Sequence, residues 1–118
     1  MALLTKEQIL NADDLKSEII DVPEWSKDGQ VRVITMSGFA RDRFEASITG
    51  KKGDSNFINI RAKLAAATIA DADGNLLFDE NDIVKLGKKS CAALDRVFAA
   101  SQKLNRMSQE DVEALAKN

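Results

Sequence analysis

The side chains able to carry chemistry in this sequence are mostly carboxylates. Asp71-Ala72-Asp73-Gly74 is an acidic turn, and Asp79, Glu80 and Asp82 form a dense acidic group just after it. A calcium loop needs oxygen ligands at alternate positions, a glycine at its sixth position and a bidentate Glu at its twelfth. Placing Gly74 sixth puts Glu80 twelfth and Leu76 at the apolar eighth position. The first ligand position then falls on Ile69, which has no side-chain oxygen, so the run reads as a turn that uses Asp and Gly for backbone reasons. Asp79, Glu80 and Asp82 could hold a metal or form an acid/base pair. As the first turn of a helix, they are accounted for by the helix dipole.

Other candidates are sparse. Cys91 lies among apolar neighbours on a helical stretch and reads as a core thiol. Lys88 and Lys89 read as solvated charges. Trp25, the only Trp, is the one candidate partner-binding residue; it is either a lid on the core or an interface anchor. Gly50 and Gly53 lack the lysine-serine context of a phosphate loop. No catalytic, metal or cofactor-binding residue is assigned.

The absences narrow the chemistry further. With no His and no Tyr among 118 residues, a Ser–His–Asp or Cys–His arrangement cannot form. A lone Cys excludes an intrachain disulfide and the usual zinc sites, and fits a reducing compartment. Net charge is −2, with Lys and Arg interspersed among Asp and Glu, which disfavours nucleic acid as a partner. MALLTKEQIL lacks the pattern of a signal peptide, and no run approaches the ~18 apolar residues of a membrane span. The expectation is a non-enzymatic, soluble intracellular protein with no membrane partner.

The elements that must position these residues follow from pattern. Thr5 and Gln8 form a capping box for a helix over 6–10, and Asn11 could begin a further turn over 12–15. Residues 1–16 read as a mobile arm on a single domain spanning 1–118. Residues 18–22 and 30–36 read as a hairpin, with Pro23 ending the first strand and Ser26-Lys27-Asp28-Gly29 turning the chain. Ser37 caps a helix over 38–48, with Ala40, Phe44 and Ile48 on one face and Gly50 as its stop. After a polar loop at 51–55, a helix from Phe57 to Ala67 gives way to extended chain near Thr68-Ile69. Leu76-Leu77-Phe78 returns as a second hairpin. Asp79 caps a short helix ended by Gly87. A longer helix runs from Lys88 or Lys89 to Leu104, with Leu94, Val97, Phe98 and Leu104 buried and Asn105 stopping it in a left-handed conformation. Ser108 caps a last helix over 109–117, with Val112 and Leu115 facing inward. The fold class is α+β: a small antiparallel portion of two hairpins, packed helices and a helical C-terminal half. The expected core is Ile20, Val22, Val31, Val33, Phe44, Ile48, Leu64, Ile69, Leu77, Leu94, Val97, Phe98 and Leu104.

The order of several short runs resembles one family. Ile9-Leu10, Asp14-Leu15, Val22-Pro23-Glu24-Trp25 and Val31-Arg32-Val33 are similar to the N-terminal half of tail assembly chaperones of long-tailed, lambda-like bacteriophages (siphoviruses) and prophages. Arg41-Asp42-Arg43-Phe44-Glu45, Asp73-Gly74-Asn75-Leu76-Leu77-Phe78 and Leu94-Asp95-Arg96-Val97-Phe98 with Leu104-Asn105 continue the likeness over nearly the full length. The resemblance implies a chaperone that binds the tape measure protein, keeps it soluble and helps recruit tail tube protein. It also implies a homo-oligomer, action in the host cell cytoplasm and absence from the mature virion. Such families often make a longer form by ribosomal frameshifting, and Ala116-Lys117-Asn118 can be encoded by GCA-AAA-AAC, which contains a slippery run. Alternatives are a structural head-tail connection or minor tail protein, and a small calcium-binding regulatory domain.

Overall fold

Val and Ile alternate with polar residues in two runs, and the chain pairs them. In the computed structural model, which describes residues 2–49 and 58–107, β1 (Ser17–Asp21) lies antiparallel to β2 (Gln30–Ile34). The pairing sets Ile20 opposite Val31 and Glu18 opposite Val33. Directly paired residues share a face, so Ile20, Val31 and Val33 make one apolar side. The connection turns after Pro23, where the Trp25 N–H donates to the Val22 carbonyl at 3.1 Å and the Gly29 N–H to Ser26 at 2.7 Å. Gly29 does not have positive φ. A side chain there would instead meet the Ser26 Cβ and carbonyl at 3.0 Å, so close approach explains the glycine.

The elements run α1 (Lys6–Asn11), β1, β2, α2 (Gly38–Ile48), α3 (Ile60–Thr68), β3 (Ile69–Ala70), a 3-10 turn (Glu80–Asp82), α4 (Ile83–Leu86) and α5 (Cys91–Leu104). The sheet order is β1-β2-β3, all antiparallel, with β1 at one edge. The result is α+β with a helical C-terminal half. The second hairpin is present in miniature: β3 has two residues, and the returning chain adds one bridge, Ala70 to Leu76. Gly74 sits at φ +87, a conformation that favours glycine.

α3 is the central helix. Ala62, Leu64, Ala65, Ala66 and Thr68 are all buried, more than one face of a nine-residue helix. A helix apolar nearly all round must be covered on several sides. α5 and the inner sheet face cover one side, where Val22, Val33, Ala65, Ile69, Leu94 and Val97 interlock. α2 covers another, where Phe44, Ile48 and Leu64 close around Met107. The alanines let α3 and α5 approach closely, and their volumes were not legible as core from apolar size alone. Between these helices lies a buried hydroxyl pair. Thr68 Oγ1 donates to the Leu64 carbonyl at 2.7 Å and lies 2.8 Å from Ser101 Oγ. A hydroxyl has one proton, so Ser101 donates to Thr68.

Several sequence expectations are corrected here. α1 extends to Asn11, which ends that helix, and no turn forms over 12–15. β2 stops at Ile34, short of Met36. α5 starts at Cys91 with Ser90 as N-cap, not at Lys88 or Lys89. Its buried positions are Ala93, Leu94, Val97 and Ser101, and Cys91, the first residue of the helix, lies off that stripe and is exposed, not a core thiol. Leu77 is 55% exposed and not core; the chain bends there after the single bridge, and Phe78 packs on the core instead. Asn105 ends α5 at φ −91, and the left-handed residue is Arg106 at φ 55. Gly87 is not left-handed either; a side chain there would meet Asn59 Oδ1 at 2.5 Å. The Gly50 stop, the 51–55 loop, Phe57 and the helix over 109–117 lie outside the described residues.

Candidate partner-binding groove

An apolar groove opens where α2 and α3 diverge and the segment 76–83 passes alongside. Its cavity volume is about 120 Å³, and it is open to solvent. Phe39, Ala40 and Phe44 of α2 form one wall, Ala66 and Ala67 of α3 the floor, and Leu76, Phe78 and Ile83 the other wall. Each wall is set by a cap. Ser37 Oγ accepts the Ala40 N–H at 3.1 Å and starts α2, which fixes Phe39 in its first turn. Asp79 accepts the Asn81 N–H at 2.8 Å, while Asp82 accepts the Asp79 N–H at 3.0 Å. This reciprocal box turns the chain back after Phe78.

Phe39 is 71% exposed, an unusual cost for a large aromatic without a partner. Its ring is covered in part by the Arg43 guanidinium, 5.5 Å from the centroid. Arg43 also pairs with Glu80 across the mouth, tying the α2 wall to the 76–83 wall. Lys63 lines the inner end, where its ammonium donates to the Ser47 carbonyl at 3.0 Å. Burial lowers the Lys63 pKa below the usual lysine value. The groove is thus an apolar floor with a charged rim, Arg43 and Lys63 on the helical side and Asp79 and Glu80 on the other. Its lining is mostly apolar, from Phe39, Phe44, Leu76, Phe78 and Ile83.

The residues singled out from sequence are placed elsewhere or put to other uses. Trp25 is half-buried, packs against the sheet–α5 core and does not line the groove. Beside it, Arg96 Nε lies 2.9 Å from both oxygens of Glu24. The acidic turn is occupied by its own backbone: Asp71 Oδ1 accepts N–H bonds from Asp73 at 2.8 Å and Asn75 at 3.0 Å. Ile69, at the would-be first ligand position, is buried in β3. Among the described residues no group of three or more carboxylate, Cys or His side chains could hold a metal ion. Cys91 Sγ lies 3.6 Å from Asp95 Oδ2, and Asp95 pairs with Arg61. Among the described residues no helix is long and apolar enough to cross a membrane. Phe39 and the groove escaped sequence reading; an exposed Phe in the first turn of a capped helix was the available signal.

No family model matches the sequence, and no curated protein matches it. Among solved structures the chain is similar to the tail assembly chaperone of bacteriophage HK97, with a TM-score of 0.60 and 17% identity, over 83% of this chain and 94% of that one. At that identity the likeness is one of fold, and it extends over nearly the whole of that protein.

Proposed function

We propose that this chain, which has the fold of a phage tail assembly chaperone, works as one: a non-enzymatic protein that holds apolar stretches of a tail protein until assembly. The observation that carries the reading is the fold match over 83% of this chain and 94% of that one, reached independently of the sequence resemblance. The groove supplies a physical basis. A holdase masks apolar surface on a partner that has not yet assembled, and needs apolar surface of its own to do so. Phe39 and Leu76 offer that surface without a core to cover them.

The partner is the tape measure protein, and tail tube protein is recruited once it is held. The chaperone acts in the host cell cytoplasm as a homo-oligomer and leaves before the virion is complete. Co-expression with the tape measure protein of the same phage tests the reading. The expected result is more soluble tape measure protein that co-purifies with this chain, and loss of both with Phe39→Glu. An unchanged soluble yield and no co-purification would sink it. Finding stoichiometric copies in purified particles would favour a structural tail component.

A further inference from the structure

β1 is an edge strand with one side unused. The Val22 N–H donates to the Gly29 carbonyl at 3.0 Å and the Thr35 N–H to the Lys16 carbonyl at 2.8 Å, which fixes the hydrogen-bonded pairs of the β1–β2 ladder. Such pairs alternate along an antiparallel ladder, so Lys16, Glu18, Ile20 and Val22 turn their backbone groups toward β2. Ser17, Ile19 and Asp21 turn theirs outward, where nothing among the described residues bonds them. The side chains along this edge are open as well: Ser17, Glu18, Ile19 and Asp21 are all exposed, Ile19 at 51%. The register runs from Ser17 to Asp21 without a bulge, and Pro23 lies beyond it. Of the devices that blunt a sheet edge, β1 carries charge.

We infer that the β1 edge takes an extended basic segment of another protein as an added strand. The charge on the edge selects this occupant. Ser17–Asp21 carries Glu18 and Asp21 and no cation, and over 13–21 Asp13, Asp14, Glu18 and Asp21 stand against Lys16 alone. Among the described residues no ion pair neutralises Glu18 or Asp21. Asp21 Oδ1 accepts a bond from the neutral Gln30 amide, at 3.0 Å. Two such edges brought together would add carboxylate to carboxylate, so the same charge bars a second copy. The pleat then sets the pattern of the guest. An added strand places one residue opposite each β1 side chain, on the same face. Ile19 and Ile20 suit apolar neighbours, and Glu18 and Asp21 each suit Lys or Arg. Ser17 suits a small neutral residue, because the Arg32 guanidinium already donates to its hydroxyl at 3.0 Å. The guest therefore reads basic–apolar–apolar–basic in either strand direction. Backbone bonds to Ser17, Ile19 and Asp21 hold it, and the side chains of Glu18, Ile19, Ile20 and Asp21 choose it.

This edge lies apart from the groove, which no residue of β1 lines. The probe is the peptide Thr-Lys-Val-Val-Lys-Thr, blocked at both ends and added to the isotope-labelled full-length chain. Amide NMR should show saturable shifts centred on Ser17, Ile19 and Asp21, with slowed hydrogen exchange at those amides. The acidic peptide Thr-Glu-Val-Val-Glu-Thr should give neither. Ile19→Pro removes an outward N–H that the β1–β2 ladder does not use; it should keep the parent's circular dichroism and lose the peptide. Glu18→Lys with Asp21→Lys should reverse the preference and take the acidic peptide in place of the basic one. Phe39→Glu, in the groove, should bind the basic peptide as the parent does. Absence of shifts with the basic peptide, equal binding of both peptides, or shifts that leave the edge amides exchanging freely would each overturn the inference. So would loss of the peptide in Phe39→Glu, or a folded Ile19→Pro chain that still binds it. A charge-swapped chain that keeps the parent's preference would do the same, and that arm holds even where Ile19→Pro fails to fold.

Discussion

At the scale of single residues, Asn105 does more than end a helix. Its Oδ1 accepts the Met36 N–H at 2.7 Å, and its Nδ2 donates to the carbonyls of Ser101 at 2.9 Å and Ile34 at 3.4 Å. One side chain thus ties the end of α5 to the end of β2. Asn105→Ala should lower stability by about 1–3 kcal/mol, because it strands part-buried backbone groups; a urea titration measures this. The stop at Asn105 was legible, but not its mechanism, since the partners are some seventy residues away in sequence. Glu24 and Asp95 give a pH prediction. Hydrogen bonds from Arg96 and Arg61 hold their pKa values below the usual carboxylate range. A folded pKa below the unfolded one adds stability above the unfolded value, and that stability is lost as pH falls through the folded value. Glu24→Gln should therefore melt slightly lower than the parent at neutral pH, with the difference shrinking to nothing in acid. Both carboxylates face solvent, so the effect is small.

At the scale of elements, the decisive contact is α3 against α5. Ala62, Ala65 and Ala93 are completely buried there, and no larger side chain fits. Ala65→Leu should destabilise by about 1–3 kcal/mol through overpacking, whereas Ala46→Leu on the exposed side of α2 should stay within about 0.5 kcal/mol; paired melting curves check both. α2 was read from its cap and its Ala40–Phe44–Ile48 spacing, and it forms over the expected residues. The switch from α3 to strand at Thr68-Ile69 was legible because β-branched residues follow a run of alanines. Leu77, expected in the core of a returning strand over 76–78, is exposed because the chain makes only the bridge at Leu76. One bridge does not hold a strand long enough to impose alternation.

At the scale of the whole molecule, the apolar surface divides into what the fold covers and what it leaves open. The sheet–α5 cluster and the α2–α3 cluster close on themselves. Phe39, Leu76 and the arm do not. Removing residues 2–15 should leave the melting temperature nearly unchanged, because none of them is buried. Leu64→Ala makes the opposite case: it opens a cavity where α2 meets α3 and should cost about 2–5 kcal/mol. It should also weaken client binding, because Phe44 beside it supports the groove wall.

The sequence by itself determined the α+β class, most helix starts and the poverty of catalytic groups. These depend on local caps, on period and on which residue types are present at all. The family resemblance was also carried by order along the chain. Only the tertiary structure decided which apolar residues stay exposed. Cys91, Leu77 and Phe39 look in sequence like the residues that do become core. Burial depends on which face of each element meets another, and that is fixed by contacts distant in sequence. Of the carboxylates that first suggested chemistry, Asp71, Asp79 and Asp82 accept nearby backbone N–H groups in turns and caps, and Glu80 pairs with Arg43.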